Sequence, residues 1–297
     1  MIRPVAFRLN AETAVNNHYQ KVHLRSDAEE INLRAQQEFD VLAELLLGHH
    51  VDVHIFSDTL SPHTPDSLFP NNWISFHNDR YVIYPMQAAN RRLERRKELY
   101  ESAFPNAFGQ KIKLDYSAYE ESGKFLEGTG SLVLDRINKL VFASLSERTS
   151  LEVVNAWCDE MKYEPVVFQS NQWVDHERKP IYHTNVMMSI ATEFAIICLD
   201  AIDDRVERAY TRKRLEQTGR EVIPISEDQV DAFLGNALEL SVVNERPLLV
   251  MSSNAFNALM PSQKKRIEKY SKIIHSSLET IETYGGGSAR CMIAEVY

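Results

Sequence analysis

Short apolar runs come in pairs along this chain. Each pair is followed by a polar segment with helical spacing and then by one more apolar run. The stretch 71–86 (NNWISFHNDRYVIYPM) predicts two strands about a turn at Asn78–Asp79. Residues 90–104 (NRRLERRKELYESAF) predict a helix and 111–117 (KIKLDYS) a third strand. The same order returns in 130–145, with a helix at 149–162 and a strand at 165–170. It returns again in 184–200, with a helix at Arg205–Gln217 and a strand at 221–226, and once more in 236–252, with a helix at 261–274 and a strand at 278–283 (LETIET). A spacing of roughly 50–60 residues is the period at which repeats build propellers or solenoids.

The chain ends extend the pattern. Residues 290–297 (RCMIAEVY) read as a lone final strand and 4–10 (PVAFRLN) as a lone initial one. If they pair, they complete a fifth unit with a helix at Glu29–Leu47 and a strand at 51–57, and a closed ring leaves no exposed edge. The fold expected is therefore α/β: one domain spanning 1–297, built of five strand–strand–helix–strand modules about a pseudo-fivefold axis. An ordinary mixed α/β sheet is the alternative that periodicity alone leaves open.

Closing the ring changes which residues are neighbours. Asn72, Glu127, His183, Asn236 and Cys291 stand near the start of each module's first strand, so the fold would gather them at one mouth. A cysteine, a histidine and a carboxylate supply a nucleophile, a proton shuttle and an orienting group. Cys291 follows three glycines and Arg290; backbone N–H groups there are expected to form an anion nest, and the arginine to favour the thiolate. Cys158, in a helix, and Cys198, in an apolar strand, read as packing residues. Asn236 shares the mouth position without an evident role.

Composition narrows the partners. The 297 residues carry a net charge of −9, with a sequence pI near 5.6, which argues against nucleic acid or an anionic membrane surface. No apolar run is long enough for a bilayer span, and the first residues lack a signal-peptide pattern. Three cysteines without zinc spacing suggest a reducing, cytoplasmic setting. The expected partner is a small molecule; whether the chain forms a homo-oligomer is not readable from the sequence.

Four stretches in order carry a family resemblance: DSLFPNNW with YPMQAANRRLE, LEGTGSLVL with LSERTS, YHTN, and GGGSARCM. They resemble the guanidine-modifying enzymes, namely arginine deiminases, dimethylarginine hydrolases and amidinotransferases. The resemblance implies a five-bladed α/β propeller (the pentein fold) and no metal or organic cofactor. It implies Cys291 as nucleophile, His183 as general acid/base and Glu127 as the carboxylate that orients substrate and His183. Arg91 and Arg148 stand where deiminases hold the substrate α-carboxylate, and Asp66 near the substrate's amino end.

The departures bear on the substrate. Where deiminases hold a guanidinium between two aspartates, this chain has Asn72 and Asn185. A buried cation needs carboxylates, whereas an amide offers one donor and one acceptor face, which suits a neutral ureido group. The stretches RPVAFRLNAETAVNN, PDSLFPNNWISFH and YPMQAANRR are similar to the citrulline utilisation hydrolase branch. That resemblance implies a C–N hydrolase converting citrulline to ornithine, carbon dioxide and ammonia through an S-carbamoyl-cysteine. With no cation to lower the thiol pKa, His183 and local N–H dipoles are expected to sustain the thiolate. The alternatives are an arginine or methylated-arginine hydrolase, an amidinotransferase, and a non-catalytic binding module on the same ring.

Overall fold

The computed structural model of the protein describes residues 1–21, 27–96 and 111–296. Four three-stranded sheets repeat one topology. They are β3 (Ile74–Phe76), β4 (Arg80–Ile83) and β5 (Ile112–Asp115); β6 (Val133–Asp135), β7 (Leu140–Ser144) and β8 (Glu164–Phe168); β11 (Met188–Ile190), β12 (Phe194–Ile197) and β13 (Glu221–Pro224); and β14 (Leu238–Leu240), β15 (Leu248–Ser252) and β16 (Lys272–Ser276). In each, the first strand pairs antiparallel with the second, and the second pairs parallel with the third. A parallel pair needs a crossover. The crossover helices are α2 (Ala89–Arg92), α4 (Leu151–Met161), α6 (Arg205–Gln217) and α9 (Pro261–Ile267). The helix expected at 90–104 lies outside the described residues beyond position 96.

The middle strands β7, β12 and β15 are buried along their whole length. They read as continuous apolar runs because both faces are covered. The amphipathic helix α1 (Ala28–Gly48) turns Ile31, Ala35, Phe39, Leu42 and Leu46 into a second core.

Two expected strands are placed differently. Residues 279–283 fall in a helix, α10 (Glu279–Gly285), and the third strand of that module is β16, which starts within the last residues of the stretch read as helix. Glu38 of α1 decides this: its carboxylate accepts the Thr280 and Ile281 N–H groups at 2.8 and 3.0 Å, capping the helix start.

The second case is the terminal pair. Residues 293–296 form no strand, and residues 4–10 do not pair with them. Instead β1 (Ile2–Arg3) pairs parallel with β2 (Phe56–Ser57). Pro4 has no N–H to extend the ladder. Beyond it, α1 claims the backbone: Asn32 accepts the Phe7 N–H at 2.9 Å and Gln36 donates to the Pro4 carbonyl at 2.7 Å. Of the expected fifth unit the structure thus shows a parallel pair and a helix, and Ala294 packs against the cluster that holds Ile2.

A hairpin of β9 (Asn171–Val174) and β10 (Glu177–Pro180) interrupts the repeat. Its turn residues, Asp175 and His176, have φ of 48° and 67°, the left-handed values that a tight two-residue hairpin requires.

What positions the site is a set of short turns ahead of the first strands. Pro70–Asn72 precedes β3, α3 (Gly128–Ser131) precedes β6, α5 (Thr184–Met187) precedes β11, and Asn236 precedes β14; Ala289–Met292 is the fifth. Pro70–Asn72 touches both α3 and Ala289–Met292, and α3 touches α5. Asn236 bonds to Asn185 on one side and Cys291 on the other. The contacts run in a circle. Among the described residues no helix is long and apolar enough to cross a membrane.

Candidate active site

Each turn delivers a polar side chain to the centre of that circle. Thr184 fixes α5 by donating to the Ser131 carbonyl at 2.6 Å and accepting the Ser144 N–H at 2.8 Å. His183, just ahead of α5, thereby faces α3, and its Nε2 lies 2.8 Å from Glu127 Oε2. The other Glu127 oxygen accepts the Gln87 N–H at 3.0 Å. Both residues are almost wholly buried. Burial alone would raise Glu127, but Arg148, His183 and Arg91 outweigh it and bring the carboxyl down to about 2. Burial lowers His183 to about 4 despite the Glu127 bond, with Arg148 and Arg91 adding to the fall. At neutral pH the pair is a carboxylate and a neutral imidazole.

Cys291 sits in the turn Ala289–Met292, 3% exposed, with its Sγ 3.2 Å from Asn236 Nδ2 and 3.4 Å from Asn185 Nδ2. The imidazole of His183 is bonded to Glu127 and not to the sulfur, so the expected support of the sulfur by His183 is replaced by amide donors. Arg290 does not serve the sulfur either. Its guanidinium turns to the Ile293 carbonyl at 3.0 Å and Glu295 at 3.3 Å.

Two N–H groups of the expected nest at Gly286–Arg290, the first and the last, are spent on local structure, as is that of Cys291. Gly286 N–H bonds the Glu282 carbonyl, Arg290 N–H bonds Asn236 Oδ1, and Cys291 N–H bonds the Ser288 carbonyl. Glycine is required for a different reason. Gly286 has φ of 62° as the C-terminal cap of α10, and a side chain there would meet the Asn17 amide at 2.5 Å. Ser288 donates to Glu282 at 2.6 Å, which ties the loop to α10.

Asn72 and Asn185 both reach the centre. Arg91 donates to Asn72 Oδ1 at 2.8 Å. Because a guanidinium only donates, the oxygen of Asn72 must face Arg91 and its NH₂ must face away. That Nδ2 has no partner, and neither has Asn185 Oδ1. Buried polar atoms in folded chains are nearly always bonded. One orphan donor and one orphan acceptor in the same buried site mark a place for a ligand with the complementary pair.

The remaining predicted residues surround this centre. Arg91 is engaged as a fork by Glu94, at 3.0 Å on both arms, and also bonds the Phe69 carbonyl. The fork expected for a substrate carboxylate is therefore closed on the protein's own residue. Burial pushes Glu94 up to about 7 even beside Arg91. Arg148 lies 3.6 Å from Glu127 and 4.9 Å from the Tyr182 ring centre, and bonds the Thr13 carbonyl and Asn16. Asp66 accepts from Asn10 and Thr13 through one oxygen, while the other has no partner. Its carboxyl is raised, by burial first and against the pull of Arg91.

Residues 10–20 thus roof the site. Sequence reading missed Asn10, Thr13 and Asn16, because nothing in a loop's composition says what it covers. Glu94 lay in a motif already quoted, and a carboxylate three residues beyond a buried arginine on a helix was its signal. Among the described residues, no three His, Cys, Asp or Glu side chains come together to hold a metal ion.

A family model described as N,N dimethylarginine dimethylhydrolase, eukaryotic, matches residues 3–297. The chain belongs to the dimethylarginine dimethylhydrolase family. No protein of curated function matches it in sequence. Among solved structures it resembles apo ArgZ, an arginine dihydrolase from the ornithine-ammonia cycle in cyanobacteria, with a TM-score of 0.72 and 16% identity. All of this chain is covered but only 40% of that one. Against the substrate-bound N-terminal domain of ArgZ the TM-score is 0.71 at 16% identity, covering 100% of this chain and 97% of that one. A dimethylarginine dimethylaminohydrolase, as an adduct with S-methyl-L-thiocitrulline, gives a TM-score of 0.62 at 14% identity, covering 98% and 96%. The dimethylarginine dimethylhydrolase fold is shared with these relatives, and the identities are too low to carry residue roles across.

Within this family member one position invites a direct check of the geometry. An added Cβ at Gly130 would lie 2.5 Å from Asn72 Nδ2 and 2.7 Å from His183 Nδ1. Gly130→Ala must displace both. Misplacements of about 1 Å cost on the order of 10²-fold in rate. The expected result is a fall in kcat of that order with the fold retained, read from steady-state kinetics beside a circular dichroism spectrum. A variant as fast as the parent would show that the two side chains need not hold their places.

Proposed function

We propose that the chain is a cysteine-dependent hydrolase of the ureido group of citrulline, built on a five-bladed α/β propeller. The observation that carries this reading is the orientation of Asn72. Arg91 locks its amide so that an N–H donor, not an acceptor, points to the orphan position. A ureido oxygen satisfies such a donor; a guanidinium, which presents only N–H groups, leaves it unpaired. Asn185 Oδ1 then accepts a ureido N–H.

The charge count bears on the rest of the substrate. Asp66, Glu94 and Glu127 face Arg91 and Arg148, all five buried. That excess of one carboxylate favours a cation, and the guanidinium of arginine or dimethylarginine is the second reading. In citrulline the α-ammonium beside the unpaired oxygen of Asp66 is offset by the α-carboxylate, so the excess is lessened instead by Glu94, which, raised to about 7, carries a proton part of the time at neutral pH. Arg148 is the guanidinium left to meet the α-carboxylate, once Thr13 and Asn16 release it.

The steps follow from these groups. Sγ of Cys291 attacks the ureido carbon, and the developing oxyanion is held by Asn72 Nδ2. The proton lost by the thiol reaches His183, which is neutral at rest and so can accept it. His183 then protonates the departing amine as the C–N bond breaks. With the amine gone, His183 takes a proton from water, hydroxide adds to the S-carbamoyl carbon, and the C–S bond breaks with the thiol restored. The carbamate released loses carbon dioxide. Glu127 steadies the imidazolium in both halves.

Parallel incubations with citrulline, arginine and dimethylarginine test the reading. Ornithine and ammonia should form from citrulline at the highest kcat/KM. An inert citrulline beside a turned-over arginine or dimethylarginine would place the protein with the guanidino hydrolases.

A further inference from the structure

We infer that Asn236 is a catalytic residue, the fixed donor that stabilises the Cys291 thiolate formed as the sulfur gives up its proton. Its Nδ2 lies 3.2 Å from Sγ and 3.1 Å from the Asn185 carbonyl, and its Oδ1 accepts the Arg290 N–H at 3.1 Å. The side chain is fully buried. Both faces of the amide are set by the backbone, since a carbonyl can only accept and an N–H can only donate. No flip of the amide satisfies the Asn185 carbonyl and the Arg290 N–H together, so the NH₂ toward sulfur is compelled.

The sulfur has few other helpers. Arg290 turns to Ile293 and Glu295, and Nε2 of His183 is bonded to Glu127. Asn185 also donates to sulfur, at 3.4 Å, but its oxygen is an orphan atom on the substrate side and its amide serves two tasks. Asn236 has no orphan atom, so its bond to sulfur persists whether or not substrate is present. A hydrogen bond to an ionised acceptor is worth more than one to a neutral acceptor. The N–H of Asn236 therefore favours S⁻ over S–H in a site whose proposed substrate brings no charge to the reacting carbon. It also binds two turns of the ring together, so the module that contributes β14 supplies a working group rather than filler.

The inference rests on Cys291 being the nucleophile, and the test separates the two. Alkylation of Cys291 by iodoacetamide, followed by mass spectrometry from pH 5 to 10, reports thiolate without any substrate. Asn236→Ala removes both arms. Asn236→Asp keeps an oxygen for the Arg290 N–H but removes the donor toward sulfur. If Asn236 holds the thiolate, both variants alkylate on the order of 10-fold more slowly at pH 7, the difference closes at high pH, and kcat falls with KM little changed. If it only braces the loop, Asn236→Asp follows the parent's profile, and the inference is overturned. Parent and variant profiles that coincide for Asn236→Ala as well overturn it too. Turnover by Cys291→Ala, measured alongside, would refute the nucleophile assignment and with it the catalytic role of Asn236, whereas an inactive Cys291→Ala beside unshifted alkylation profiles would overturn Asn236 alone.

Discussion

Cys291→Ser should lose turnover by on the order of 10⁴-fold or more, since a serine hydroxyl is far less acidic than a thiol and a far weaker nucleophile, even with His183 to take its proton. The fold should survive the exchange. The hydroxyl can accept from Asn185 and Asn236 as the sulfur does, so stability should change by no more than about 1 kcal/mol. The measurement is amine release by parent and variant, ammonia from citrulline and arginine and dimethylamine from dimethylarginine, with a melting curve for each. Near-parental rates in the variant would remove Cys291 from the chemistry. A parent inert towards all three substrates would favour a binding module that has kept the ring.

The second large effect concerns substrate charge. In Asn72→Asp, one carboxylate oxygen keeps the Arg91 bond and the other takes the place of the orphan donor. A buried guanidinium gains a partner there, while a ureido oxygen meets a negative charge. Leaving a buried charge unpaired costs about 3–5 kcal/mol, so the ratio of kcat/KM for arginine to that for citrulline should rise by on the order of 10²–10³-fold. Both constants come from one set of initial-rate assays. A ratio that stays level, or moves toward citrulline, contradicts the role given to the Asn72 amide.

Much of the fold was legible because the repeat is written in period. The pairs β3–β4, β6–β7, β11–β12 and β14–β15 fall inside the apolar runs that announced them, and α6 matches the expected Arg205–Gln217 at both ends. The failures share a cause: partners distant in sequence. The run 278–283 has enough apolar character for a strand, but Glu38, brought in by α1, caps it as a helix. Residues 4–7 look extended, yet Asn32 and Gln36 take their backbone bonds.

The site divides along the same line. Residue type and module position brought Glu127, His183, Asn185 and Cys291 to one centre. They said nothing of which way a side chain turns. Arg290 adjoins the sulfur in sequence and faces away from it, and Arg91 is closed by Glu94. The glycines before Cys291 invited a nest, and close packing against Asn17 is what Gly286 answers. Asn236 was visible only as a position; its partners, Asn185, Cys291 and Arg290, lie far from it in sequence.

That each module contributes a separate part has a consequence for the life of the molecule. No single module holds even a crude version of the proposed machinery, because Asn72, Glu127, His183, Asn236 and Cys291 come from five different segments. A chain clipped or arrested short of its final turn should be wholly idle rather than feebly working. Activity per mole of polypeptide would then count finished molecules in any preparation.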